Sequence, residues 1–555
     1  MRWIARIACA AAVFLFTALY RFNTLGGTFG GFDNDHFVPF ASAKQVEAGE
    51  QPLRDFSGLG LQGVWPSLTY EVSAWAQRRL GDNLRSEALV TIGGVAAGAA
   101  MTFLLAAWLS NTFWAIVATP ISVFVAPTLY NYPKVLLISA AGLVIAAYAR
   151  RATVTIVCVG AVLTAIAFLF RHDYAVYVAV GILLGYLASG RWRHGIRHGV
   201  IYAALTTLLL TPSLVYVVRY AGLVHYVRDS IEVSRREAER VPQTTWPSFT
   251  RTTESGGPVS ATTFFNVEQN GVTWLYYVMR VLPFVAAFAA WKARHEDGRK
   301  HIATAGLAIA GMAAFAIPFL IRGNTAVRLG DVGPLLAVLF ALSCNEATRA
   351  RPADGARSRS LRIALVVVLL VGTALSARTV GYVGSQLRTA GLSEGWRATR
   401  LRAQQLWTAL GDLPQSALED DHPDNPFRVS RYINRCTLPS DRIVVMAYEP
   451  ETLPYAGRLF GAGRVSVIPK YILGPHNEAE LVGFWRHQSV PLVLVEYEEF
   501  LTTTGGFPLV AGYLHEHYRE AGRVMVSDAK TLRVFARTDR TAVSTFGPEQ
   551  LPCFR

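Results

Sequence analysis

Eleven apolar stretches follow one another along the first two thirds of this chain, each close to the ~20 residues an α-helix needs to cross the hydrocarbon core of a bilayer. They fall at 3–20, 87–109, 113–130, 134–149, 152–170, 174–188, 199–218, 274–291, 302–321, 327–345 and 362–378, the segment at 174–188 being short. A backbone in lipid must satisfy its hydrogen bonds internally, so such a series folds as helices packed on one another. The composition agrees: 52% hydrophobic and 17% charged residues over 555 positions, with a mean hydropathy of +0.29, are too apolar for an ordinary soluble enzyme.

The net charge of +14 and pI of about 9.7 do not point to nucleic acid, because Lys and Arg collect in short clusters between the apolar stretches. With Arg2 and Arg6 on the cytoplasmic side, alternate connections are basic: Arg150-Arg151, the stretch Arg191 to His198, the stretch Lys292 to His301, and Arg349 to Arg362. The connection near Asn111 is almost uncharged. An odd number of spans then puts the amino terminus inside and the carboxy-terminal part outside. The first stretch has the basic start and apolar middle of a signal peptide, but no small-x-small site precedes Arg21, and a retained helix is expected.

That orientation gathers polar residues on the outer side. The first outer loop, 21–86, carries Asp33, Asp35, His36, Asp55, Trp65 and Tyr70, with helical patterns at 41–48 and 66–80 expected to lie along the interface. Lys134 follows the turn at Tyr130, and Arg171 and Asp173 end the fifth span. The outer loop 219–273 bears His225, Arg228, Arg235, Arg236 and Arg240, and Arg322, Arg328 and Asp331 lie between the ninth and tenth spans. Taken singly, Arg171 with Asp173 and Arg328 with Asp331 read as helix-end ion pairs, and Lys134 as a snorkelling side chain. Taken together, acidic groups from one loop and cations from several others suit an anionic group held by Arg and Lys beside a carboxylate base.

Asp33-Asn34-Asp35-His36 after the first span, then Gly49-Glu50-Gln51-Pro52-Leu53-Arg54-Asp55-Phe56 and an amphipathic stretch to Leu80-Gly81, resembles the first outer loop of GT-C glycosyltransferases. That superfamily includes protein O-mannosyltransferases, the lipid A aminoarabinose transferase and RgtA/B/C/D-like proteins. The likeness extends through the order of spans and loops to about residue 378. It implies a polytopic α-helical fold of about eleven transmembrane helices with an extracytoplasmic carboxy-terminal domain, seated in the cytoplasmic (inner) membrane. It further implies a polyprenyl-phosphate sugar donor, a cell-envelope glycan, lipid or protein acceptor, and a first-loop carboxylate as base. Asp33 is the expected base and Asp35 the alternative, since Asn34 separates them where the family has an adjacent acidic pair. Lys134, Arg171 and Arg328 are the phosphate candidates. Asp173 and Asp331 would orient them or contact acceptor hydroxyls, Asp55 would orient a helix or a sugar hydroxyl, and His36 is counted with the substrate-binding residues.

No cofactor is required on this reading, and a divalent metal is possible: Asp33, Asp35 and His36 offer oxygen and nitrogen ligands, although no His or Cys pair has zinc-site spacing. The run Glu419 to Asp424 lacks the glycine and final Glu of an EF-hand and is expected to be a solvated loop.

The expected division is 1–378 as the membrane domain and 379–555 as a soluble α/β domain, read as a lid or acceptor-docking module without catalytic residues of its own. A helix is expected at 394–410, strands at 442–447, 465–468, 492–497 and 532–536, and helices at 478–487 and 508–521. Gly457, Gly461 and Gly463 do not form a dinucleotide fingerprint. Cys9, Cys158 and Cys344 fall in spans as packing residues; Cys436 and Cys553 share the outer domain, where an oxidising compartment would permit a bridge. A transporter or lipid-linked sugar flippase is the alternative function, but no internal repeat is visible. A membrane scaffold would leave the acidic loop unexplained.

Overall fold

The computed structural model describes residues 2–27, 30–57, 67–190, 192–240, 246–252, 259–260, 263–296, 298–320, 328–349, 356–419, 425–502, 506–527 and 530–555. Trp65, Arg322 and the acidic run at 420–424 lie outside the described residues, as does the side chain of Arg240.

Each expected span is a helix. Among the described residues eight are long and apolar enough to cross a membrane: Trp3–Asn23, Leu84–Leu109, Leu129–Arg150, Trp192–Tyr220, Glu268–Ala293, Lys300–Leu320, Leu329–Thr348 and Ser358–Val380. The other three, Thr112–Phe124, Val154–Phe170 and His172–Ala188, have 13, 17 and 17 residues. At ~1.5 Å per residue they are shorter than a ~30 Å hydrocarbon core. The chain is therefore a polytopic helical membrane protein with a β-sheet region near its carboxy terminus.

Two compact units divide the chain, and neither is continuous in sequence. The first comprises Met1–Thr24, Thr91–Pro212 and Ala238–Ala403; the second comprises Leu25–Val90, Ser213–Glu237 and Gln404–Arg555. In the first, Leu329–Thr348 is buried almost throughout, whereas Ser358–Val380 presents Leu361, Leu365 and Val368 outward, as lipid-facing helices do. Small residues allow the close packing: a Cβ on Gly98 would lie 2.6 Å from Val135 Cγ1, and one on Gly94 would lie 2.3 Å from the Tyr132 ring. Both contacts bracket Lys134. Likewise a Cβ on Gly330 would fall 2.4 Å from the Pro127 nitrogen, so only glycine lets the turn carrying Asp331 lie on that backbone.

In the second unit, five strands form a sheet in the order β2-β1-β3-β5-β4. These are β1 (Arg442–Met446), β2 (Leu459–Phe460), β3 (Leu492–Val495), β4 (Tyr518–Ser527) and β5 (Lys530–Arg537). β1 pairs in parallel with β2 and β3, and β5 runs antiparallel to β3 and β4. Both faces are buried, which explains the unbroken apolar run Leu492 to Val495. One face, through Val444, Val493 and Phe535, packs on Trp485 and Leu514 from helices Pro475–Arg486 and Pro508–His517. The opposite face, through Ile443, Val445, Leu494 and Val534, packs on Tyr432 and Ile433 and on Val38, Ala41 and Ala43 of helix Asn34–Glu47.

Several expectations change here. Helix Asn34–Glu47 starts seven residues ahead of the expected 41–48 and has ten buried side chains, forming part of the core beneath the sheet. Residues 465–468 are not a strand; Val467 donates a 2.8 Å bond to Val445, but Gly463 in a left-handed turn and Pro469 leave no room for a ladder. The helix expected to reach 521 ends at His517, where the β-branched and aromatic pattern of β4 takes over. Cys436 and Cys553 form a disulfide across a sequence separation of 117. Replacing both with Ser is expected to cost the unit about 2–5 kcal/mol, read as a lower unfolding midpoint that matches the reduced wild type.

Candidate functional site

Asp33 is the N-cap of helix Asn34–Glu47: its Oδ1 accepts the backbone N–H of His36 at 3.1 Å, from an extended φ/ψ. Its side chain still reaches solvent, yet the surrounding protein strips part of its hydration, and the Asp35 carboxylate adds repulsion. Both raise its pKa above the usual carboxylate range. A carboxylate so placed is more basic than a free aspartate, as proton abstraction requires.

Asp35, in the first turn, accepts the hydroxyl of Tyr448, which lies just beyond β1. His36 is buried, and its Nε2 lies 3.3 Å from Glu87 Oε2. Glu87 also takes the hydroxyl of Ser73 and the amide of Gln77, the latter at 3.1 Å. His36 is thus an internal strut that anchors the acidic turn through its Nε2 contact with Glu87. Among the described residues no three His, Cys, Asp or Glu groups gather as metal ligands. Asp55 is a surface group: Arg54 donates to both its oxygens and Gln51 N–H caps it at 2.8 Å. That pairing holds its pKa down. His36→Ala is expected to strand the buried Glu87 carboxylate and cost about 1–3 kcal/mol, checked by thermal unfolding beside Asp55→Ala, which should be nearly neutral.

Sequence reasoning did not reach the groups around Tyr448. β1 leads to β2 on one side and the chain returns to β3 on the other, so the strand order reverses at their carboxyl ends, where α/β sheets place ligands. Glu449 and Glu451 follow β1, Glu496 follows β3, and Lys530 opens β5. Lys530 Nζ bridges Glu449 at 2.5 Å and Glu496 at 2.8 Å. Burial and the neighbouring Glu449 push the Glu451 pKa well above the usual carboxylate range. The available signal was positional, a tyrosine and two glutamates just beyond a buried strand.

In the other unit the expected cations do converge. Lys134, 1% exposed at its side chain, is 2.6 Å from Asp331, 2% exposed. Arg328 approaches the same carboxylate at 3.6 Å from a half-exposed position. Arg171 donates to both oxygens of Asp173, at 3.1 and 3.0 Å, and it and Arg328 are near enough to act electrostatically on Lys134. Three cations against two carboxylates leave one positive charge in excess. The ring of Tyr174 lies 5.8 Å from the Lys134 ammonium and 5.7 Å from the Arg171 guanidinium.

No protein-family model matches the chain, and no characterised protein matches it in sequence. Among solved structures it is similar to the oligosaccharyltransferase of Archaeoglobus fulgidus. The form tethered to an acceptor peptide containing the NVT sequon has 12% identity and a TM-score of 0.40, with 98% of this chain and 76% of that one covered. The archaeal oligosaccharyltransferase AglB from the same organism, in complex with an inhibitory peptide and a dolichol-phosphate, has 12% identity and a TM-score of 0.42, with 96% and 74% covered. Similarity at this level carries no argument about activity.

Proposed function

We propose that this chain is a membrane glycosyltransferase of the GT-C kind, moving a sugar from a polyprenyl-phosphate-linked donor to a cell-envelope glycan, lipid or protein acceptor. The observation that carries the reading is Asp33: a solvent-reaching N-cap carboxylate of raised basicity, on a turn anchored by His36–Glu87 and joined through Asp35 to Tyr448. In the proposed step the acceptor hydroxyl gives its proton to Asp33 while its oxygen bonds to the anomeric carbon. The bond from that carbon to the donor phosphate breaks, and the electron pair leaves with the lipid phosphate. A single displacement of this kind inverts the anomeric centre.

The cations Lys134, Arg171 and Arg328 are assigned the lipid phosphate, whose charge grows as the bond breaks. Asp331 and Asp173 orient them. Tyr448 is assigned the positioning of Asp35. The proposed topology has the amino terminus inside and residues 379–555 outside, in the inner membrane, as the basic connections favour.

The test is transfer of radiolabelled sugar from a panel of polyprenyl-phosphate sugars into envelope fractions by the purified protein. Transfer by wild type supports the reading. Absence of transfer with every donor, together with movement of a lipid-linked sugar across proteoliposomes, would replace it with a flippase.

A further inference from the structure

At the end of the helix Tyr132–Arg150 remote from Lys134, about 24 Å along its axis at 1.5 Å per residue, lies a groove of about 450 Å³ that the transfer reaction does not use. Its walls are apolar, with Leu143, Ile156 and the rings of Trp3 and Trp108, and its rim carries Arg150 and Arg151. The neighbouring cation Arg299 is paired with Glu346 and Glu296. Arg150 and Arg151, by contrast, enter no ion pair or side-chain hydrogen bond among the described residues, and both are exposed.

An apolar trough whose lining also includes two guanidinium groups outside any ion pair and two tryptophans matches an amphiphile that has a hydrocarbon tail and an anionic head. We infer that this groove is a binding site for one anionic phospholipid, its acyl chain along Leu143 and Ile156 and its phosphate on Arg150 and Arg151. A zwitterionic lipid would bring its own cation to the same rim and lose most of the attraction. The polyprenyl phosphate of the proposed donor is assigned to Lys134 at the other end of the helix, so the groove lipid is a separate, non-reacting one.

The full chain, purified in mild detergent, is analysed by mass spectrometry for co-purified lipid. It is also melted in nanodiscs of phosphatidylcholine with and without phosphatidylglycerol. Wild type should carry about one phosphatidylglycerol per chain and melt higher when it is supplied. Arg150→Gln with Arg151→Gln should retain it about thirty-fold more weakly and lose the shift. Ala147→Phe, which fills the groove without changing charge, should do the same, while Lys292→Gln, an exposed basic residue away from the groove, should behave as wild type. Equal retention by the arginine variant would overturn the inference. So would a wild-type chain whose retained lipid is phosphatidylcholine or a polyprenyl phosphate. The lipid measurement does not depend on sugar transfer, so it stands or falls separately from the proposed activity.

Discussion

Asp33→Asn is expected to lower sugar transfer by about 10²–10⁴-fold at equal folded yield, because the amide keeps the cap hydrogen bond to His36 but cannot take a proton. Asp35→Asn separates the two carboxylates by a different signature. Its negative charge is one of the causes that raise the Asp33 pKa. Removing that charge lowers the pKa, so Asp33 remains ionised further into acid, and the acid limb of kcat/KM should move to lower pH while activity at neutral pH falls only modestly. The direction follows from the base role: activity needs the ionised form and is lost as pH drops through the pKa. If Asp35→Asn instead abolishes transfer and Asp33→Asn retains it, Asp35 is the base. Tyr448→Phe removes the hydroxyl that Asp35 accepts, and should lower transfer modestly without unfolding the sheet.

The second large effect concerns the buried pair Lys134–Asp331. Asp331→Ala leaves a buried ammonium without its carboxylate, and is expected to cost about 3–5 kcal/mol of stability, read as a large fall in unfolding midpoint and in membrane yield. Replacing both, as Lys134→Met with Asp331→Leu, removes the uncompensated charge and should recover most of the stability. It should not recover transfer, because the cation assigned to the departing phosphate is gone. Wild-type transfer by the double variant would make the pair purely structural and leave Arg171 and Arg328 to hold the phosphate.

Much of this was open to reading in one dimension. Apolar stretches of membrane-crossing length are local properties, and all eleven expected spans are helices, eight of them of full length. The strands at 442–446 and 492–495 were recognisable by their apolar continuity, whereas the helix expected at 41–48 begins at Asn34, with Asp33 as its cap. Val465 to Ile468 misled because a short apolar segment has the same pattern whether it pairs along its length or makes one bond, as Val467 does.

What the chain order could not convey is which distant segments share a core. A contiguous division at 378 is the natural reading of composition, whereas residues 25–90 and 213–237 belong to the same compact unit as 404–555. Burial of Val38 and Ala41 against Ile443 and Val445 joins them, and that packing brings Tyr448 onto Asp35 across 413 positions. The same holds for Lys134 and Asp331, 197 positions apart. By itself the sequence determined the apolar helical spans, the membrane setting and the residue types able to do the chemistry, because these depend on hydropathy and local pattern. Only the tertiary structure decided the partners of each charge and which sheet lies under the acidic helix. Pairing a buried charge depends on which side chains the packing brings within a few ångströms, and no local pattern encodes that distance.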